Sequence, residues 1–146
     1  MKLSIRHARL SDAEDIAGLL EQLGYPTDSK AVERRLNLAG SSRDDAVLVA
    51  EEEDRVVAFL SLHVIPYFTT GRRVGRVSAL SVEENCRRQG IGTKMMKAAE
   101  EQAKGMGCSA IEVTSANHRI GAHAFYDRLG YPKTSAKFFK PLDEEA

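Results

Sequence analysis

The 146-residue chain has two cysteines, Cys86 and Cys108, too few for a disulfide framework or a cysteine-based zinc site. It has no excess charge of either sign. Its 21 Lys and Arg stand against 21 Asp and Glu, so no global field draws it to nucleic acid or to an anionic membrane surface. Long hydrophobic runs are also missing: the longest, residues 56–65, is far shorter than a bilayer requires and contains His63. Met1-Lys2-Leu3-Ser4-Ile5-Arg6 has no apolar signal core, so a reduced, cytoplasmic location is expected. There is no internal repeat, low-complexity tract or linker. The length suits one domain with a single core, expected to span residues 1–146.

What is present is an alternation of short strand and helix patterns. Residues 2–8 alternate apolar and polar side chains and predict an opening strand. Ser11-Asp12-Ala13-Glu14 is a capping-box signal, followed by Ile16, Leu19, Leu20 and Leu23 at helical spacing and by Gly24 as a stop. A second short helix is expected over residues 29–39, with Val32, Leu36 and Leu38 inward, and residues 40–45 form a loop. Residues 46–51 and 55–65 predict a hairpin about Glu52-Glu53-Asp54. A polar connection over 67–73 leads to a strand ending at Val82. The next helix runs to about Gly105 with Ile91, Met95, Ala99 and Ala103 on one apolar face and Met96 and Met106 beside it, a packing stripe. Residues 109–115 predict a strand with Glu112 and Thr114 opposite Ile111 and Val113. A short helix over 122–129 and a last strand over 133–142 follow. Strand, helix, strand implies a βαβ crossover and a parallel pair beside antiparallel hairpins: an α/β (α+β) chain with a mixed, mostly antiparallel sheet and helices on both faces.

The segment Arg87-Arg88-Gln89-Gly90-Ile91-Gly92-Thr93 joins the strand ending at Val82 to that helix. The first helical turn has backbone N–H groups without intrahelical partners and the positive end of the macrodipole. Gly90 and Gly92 lack a Cβ, so a phosphate can approach the backbone. Two familiar phosphate loops fail on spacing. Gly90-Ile91-Gly92-Thr93-Lys94 lacks the four-residue gap of a nucleotide P-loop, and Met95 stands where a dinucleotide fingerprint needs its third glycine.

The pattern that fits is Arg/Gln-x-x-Gly-x-Gly/Ala, with Arg87, Gly90 and Gly92 in its fixed positions. It resembles the acyl-CoA pyrophosphate loop of the GNAT family of N-acetyltransferases. A second segment, Ala122-His123-Ala124-Phe125-Tyr126-Asp127-Arg128-Leu129-Gly130-Tyr131, resembles that family's Ala-x-x-x-Tyr-x-x-x-Gly-Tyr/Phe signature. The two cover roughly the last seventy residues, and before Arg76 only the order of elements matches. The resemblance implies a single-domain GNAT-like fold whose central parallel strands, ending at Val82 and Ser115, splay apart around pantetheine. It implies acetyl-CoA as cosubstrate and no metal. The cofactor contacts would be Leu80, Ser81 and Val82 for pantetheine and Arg87, Arg88, Gln89, Gly90, Ile91, Gly92 and Thr93 for pyrophosphate, with Asn117, Arg119 and Ala122 completing the set. Members often pair through the C-terminal strand, so Phe138 and Phe139, one on each face of residues 133–142, suggest a homodimer.

Amine acetylation by a CoA thioester needs an anchored cofactor, a neutral amine, a stabilised oxyanion and a proton for the thiolate. Tyr126, at the tyrosine of the signature, is expected to supply that proton, because a phenol keeps its proton at neutral pH. The base is open. Many members carry Glu on the strand before the pyrophosphate loop, and Ala79 stands there instead. Glu112 is the first candidate, His63 and His123 are weaker ones, and water alone also serves an acceptor of low pKa. The family often has Asn seven residues before the helix Tyr, where this chain has Arg119. Ser115, Arg119, Ala122, His123, Phe125 and Tyr126 are similar to a subgroup that includes bacterial aminoalkylphosphonate and aminoglycoside N-acetyltransferases. His118 and His123 are five apart and share no helical face, against a two-His metal site. A small-molecule primary amine is the expected acceptor, and Arg72, Arg73 and Lys137 suggest one carrying an acidic group. The alternatives are a protein or peptide amine, a non-catalytic acyl-CoA sensor and a nucleotide-binding regulatory domain.

Overall fold

The computed structural model describes residues 2–114 and 120–143. They fall into two compact units that divide after Thr114. The first is built on a five-stranded sheet in the order β1 (Leu3–His7), β2 (Asp45–Glu52), β3 (Arg55–Pro66), β4 (Arg73–Val82) and β5 (Ala110–Val113). The first four strands pair antiparallel and β4 pairs parallel with β5. Helices α1 (Ala13–Leu23) and α2 (Ser29–Gly40) lie between β1 and β2 in sequence, and α3 (Ile91–Gly105) connects β4 to β5. Among the described residues no helix is long and apolar enough to cross a membrane.

Local chemistry explains the boundaries. Gly24 ends α1 in the left-handed region at φ 103°, and the Asp28 carboxylate caps α2 by accepting the Ala31 N–H at 2.8 Å. The hairpin between β2 and β3 turns through Glu53 and Asp54 at φ 52° and 63°, the paired positive φ of a turn whose twist matches its strands. The expected Ser11 cap is not used: α1 starts after Asp12 with no side-chain cap bond, and the Asp12 carboxylate, 5% exposed, instead accepts the Arg9 N–H at 2.7 Å at the head of the preceding 3₁₀ turn.

The period-two pattern of the strands divides the core between the sheet faces. Val49, Val56 and Phe59 meet Ala13, Ile16 and Leu19 of α1 and Val32 of α2 on one side. On the other, the α3 stripe of Ile91, Met95, Ala99 and Ala103 is buried as its spacing predicts. Gly75 shows how closely α3 lies on β4, because a Cβ there would be 3.1 Å from the Ala103 Cβ and 3.3 Å from Leu62. The sheet therefore carries helices on both faces.

Two expectations fail. Leu38 is 72% exposed, because Val32 and Leu36 already define the buried side of α2. In the second unit α4 spans Ile120–Arg128, but residues 131–143 form no strand. Alternation makes a strand only where a neighbouring backbone completes the ladder, and among the described residues none does.

Arg6 ties β1 to the start of α1 and to β2, donating to Asp12 at 2.8 and 3.0 Å and to Glu51 at 3.2 Å. The Arg6 guanidinium holds the Asp12 carboxyl below the usual carboxylate range, against the opposing effect of burial. A lowered folded value means that this contribution is complete above about pH 4 and is lost as pH falls through the folded pKa. Arg6→Met leaves a buried carboxylate uncompensated and is expected to cost about 3 kcal/mol at neutral pH. Urea denaturation should show the deficit shrinking towards pH 4, where Asp12 protonates in the variant.

Candidate active site

Between β4 and α3 the chain passes through a single 3₁₀ turn, Glu84–Cys86, whose buried Cys86 pins the loop from below. Arg87 turns back, its Nε donating to the Val82 carbonyl at 3.1 Å, and Arg88 and Gly90 adopt φ 66° and 79°. Gly90 is the N-cap of α3. No side chain caps that helix and no acidic residue stands in its first turn, although caps of Ser, Thr, Asp or Asn are the usual solution. Ile91 is buried in the α3 core, leaving its backbone N–H as the group with which it can meet a ligand. Arg87, Arg88, Gln89 and Gly90 are exposed. The loop thus presents exposed cations and uncapped amides at a helix N-terminus, which suits an anion.

The strand leading there is asymmetric. β4 pairs with β3 as far as Val82, but its last parallel pair with β5 is Val77 with Val113, followed by the Thr114 N–H donating to the Val77 carbonyl at 3.3 Å. From Ser78 to Val82 the other edge of β4 has no ladder partner among the described residues. Ser81 is buried with its hydroxyl donating to the Leu19 carbonyl at 3.2 Å, so its main chain is what remains for a ligand. The β3–β4 register shifts between Ser61 and Leu62, which pair with Ala79 and Val77 and leave Ser78 on a bulge. Beside the bulge lies a cavity of about 610 Å³, lined by Ser78, Ala79, the α1–α2 loop residues Gly24, Tyr25 and Pro26, and Arg35 of α2.

Two polar networks occupy this face. Glu112 lies opposite Arg76 in the β4–β5 register and accepts from its Nε at 2.6 Å. The Tyr67 hydroxyl bridges both Glu112 oxygens at 2.9 and 3.1 Å and accepts from Arg76 at 3.0 Å. The first base candidate is therefore already engaged through both oxygens. The second network joins Asp45, His63, Ser78 and Ser61. His63 was a weaker candidate on sequence, and its three partners were not legible there, because the pairing depends on strand register and a bulge.

In the second unit, Tyr126 stacks edge-on with Phe125 and Tyr131, its ring centroid 5.1 and 6.3 Å from theirs. The Tyr131 N–H closes the end of α4 onto the Tyr126 carbonyl at 2.9 Å, and Ala122 sits in the first turn. Asn117 and Arg119 lie outside the described residues. Of the three cations suggested for the acceptor, Arg73 is committed to Asp44 and to the Met106 carbonyl, both at 3.0 Å, and Lys137 lies over the Phe139 ring. Arg72 is exposed.

The family model described as the acetyltransferase (GNAT) family matches residues 13–131. The chain belongs to this family. It is accordingly an acyl-CoA-dependent N-acyltransferase, in a family that uses acetyl-CoA. The aminoalkylphosphonate N-acetyltransferase of Salmonella typhimurium is 30% identical over 141 residues, 94% of this chain and 90% of the relative. Solved structures share the GNAT fold. A Bacillus halodurans protein described as a transcriptional regulator superposes with a TM-score of 0.87 at 24% identity, covering 97% of this chain and all of that one. An aminoglycoside N-acetyltransferase in complex with CoA superposes with a TM-score of 0.85 at 16% identity, covering 96% of this chain and 94% of that one.

The loop's two positive φ values have opposite mutational signs. Arg88→Gly removes the strain of a side chain in the left-handed region and is expected to raise stability by up to about 1 kcal/mol. Gly90→Ala introduces that strain in otherwise open space and should cost about 1 kcal/mol. Urea midpoints of the two variants against the parent chain check both.

Proposed function

We propose that this GNAT enzyme moves the acetyl group of acetyl-CoA by direct transfer to the primary amine of a small molecule that also carries an anionic group. The observation that carries the reading is the uncapped helix N-terminus behind its exposed basic loop, reached along β4 residues 78–82 that have no β5 partner among the described residues, with the α1–α2 cavity beside them. Pyrophosphate would take the N–H groups from Arg88 to Thr93, with Arg87 and Arg88 adding charge-assisted bonds. Leu80, Ser81 and Val82 would offer main-chain groups to the pantetheine amides, much as one strand adds to another. Asn117, Arg119 and Ala122 complete the cofactor set on family resemblance alone.

The acceptor would lie in the cavity beside Ser78. Arg35 at its wall is exposed and has no acidic partner among the described residues, which supports an acceptor bearing a carboxylate, phosphate or phosphonate. The aminoalkylphosphonate specificity in the relative's name agrees with that charge. Tyr126 is assigned the protonation of the departing thiolate, from its place in the family signature. Glu112, bridged by Arg76 and Tyr67, is assigned to holding the β4–β5 edge rather than to taking a proton. Residues 1–146 act as one cytoplasmic acetyltransferase domain, paired as a homodimer through the exposed Phe138 and Phe139.

Thiol release from acetyl-CoA across amino acids, aminophosphonates, amino sugar phosphates, aminoglycosides and lysine peptides tests the assignment. Turnover is expected with the anionic amines. Arg35→Ala should raise their KM about tenfold, the loss of one charge-assisted contact. Tyr126→Phe should lower kcat by about 100-fold with acetyl-CoA binding retained. Turnover confined to polycations or peptides would reject the substrate class, and full activity in Tyr126→Phe would remove that residue from the chemistry.

A further inference from the structure

Three strands bring one aspartate, one histidine and one serine into a continuous hydrogen-bonded line. Asp45 and His63 are register partners across β2 and β3, and the Asp45 Oδ1 lies 2.6 Å from the His63 Nδ1. The other ring nitrogen, Nε2, lies 2.7 Å from the Ser78 Oγ, and the Ser61 Oγ lies 2.6 Å from the same oxygen. His63 and Ser42 hold the Asp45 carboxyl below the usual carboxylate range, so the group facing Nδ1 is an anion. An anion there requires a proton on Nδ1. In the neutral ring Nε2 is then an acceptor, Ser78 donates to it, and Ser61 donates to Ser78. Ser78 is exposed at the bulge and lines the α1–α2 cavity.

We propose that Ser78, His63 and Asp45 form the proton relay that deprotonates the acceptor amine. This rests on the acceptor occupying the cavity beside Ser78. The amine arrives as an ammonium. An N–H bond breaks towards the Ser78 Oγ as the Ser78 O–H bond breaks towards the His63 Nε2. The products are a neutral amine, an intact serine and an imidazolium facing the Asp45 carboxylate. The amine then attacks the thioester carbonyl. Its nitrogen sheds a second proton as the amide forms, matching the one that ends on the CoA thiol. One proton per turnover therefore leaves for water from His63, whose side chain is 42% exposed. Ser78 is the catalytic residue, and His63 and Asp45 act through it. The charged groups around the ring are Asp45 on β2, Arg76 opposite it on β4 and already paired with Glu112 of β5, and Arg35 of α2 at the cavity wall. The relay supplies a base on a strand whose Ala79 has no carboxylate.

Steady-state kinetics of the full chain, with the amine accepted in the thiol-release assay, test the relay. Ser78→Ala and His63→Ala should each lower kcat by about 100-fold with the acetyl-CoA KM unchanged. In His63→Ala the rising limb of the pH profile should move to higher pH, because the amine must then lose its proton to water, and added imidazole should restore part of the rate. Asp45→Asn removes the acceptor that fixes the Nδ1 proton and should lower kcat about tenfold. Should His63→Ala fail to fold, Ser78→Ala carries the same pH readout. Full kcat and an unmoved pH profile in both His63→Ala and Ser78→Ala would overturn the relay and leave the acetyltransferase reading standing. No wild-type turnover with any amine would overturn both. An acetyl group found on Ser78 after acetyl-CoA alone would replace the relay with an acyl-serine step.

Discussion

The candidate site depends on one constraint: β4 keeps its ladder with β3 to its end, while among the described residues its ladder with β5 ends at Val77. Backbone N–H and C=O groups that lose a ladder partner must find water or a ligand, because leaving them unpaired costs as much as a lost hydrogen bond. Along residues 78–82 the second edge of β4 has no ladder partner among the described residues, which leaves a line of main-chain groups beside a rigid sheet. β4 runs on to the turn at Glu84–Cys86, which delivers the chain to the start of α3. The register shift beside Ser61 leaves Ser78 on a bulge that lines the α1–α2 cavity.

These open polar features are affordable because the apolar side of the same elements is closed. Met95 and Met96 are 0% and 1% exposed on α3, and burying each contributes roughly 2 kcal/mol. That exceeds the roughly 1 kcal/mol forgone by an N-terminus without a capping side chain. Packing fixes α3 against β4, with Gly75 allowing the close approach, so the uncapped amides sit at a defined place on the sheet. On the opposite face, Phe59 and Val49 pack against Ile16 and Leu19 of α1, which fixes the helix whose Leu20 and Leu23 line the α1–α2 cavity.

How much of this was legible in the sequence follows from how local each signal is. The α3 stripe was readable because it needs only a period, and the Gly90 start of that helix because its signal lies within a few consecutive residues. Leu38 was misplaced because one residue at the edge of a helical stripe is decided by what lies across from it. The segment after Pro132 has the alternation of a strand but, among the described residues, no strand partner, which alternation cannot supply. Glu112 was a reasonable base by its position on β5. Its pairing with Arg76 and Tyr67 joins residues 36 and 45 positions apart, and no periodicity encodes that. Asp45 was hidden for the same reason, since it reads as loop until β2 extends to meet His63.

The two polar networks on the cavity face differ in one respect that decides what each can do. In the first, the Arg76 guanidinium meets the Glu112 carboxylate and Tyr67 bridges both of its oxygens, so the carboxylate is engaged on every side. Such a closed unit orders the β4–β5 edge. In the second, one fixed anion at Asp45 faces a ring that is neutral until it receives a proton, and the far end stops at a hydroxyl in the cavity. The same face of the sheet thus carries one closed ionic unit and one line of hydrogen bonds that ends at an exposed hydroxyl.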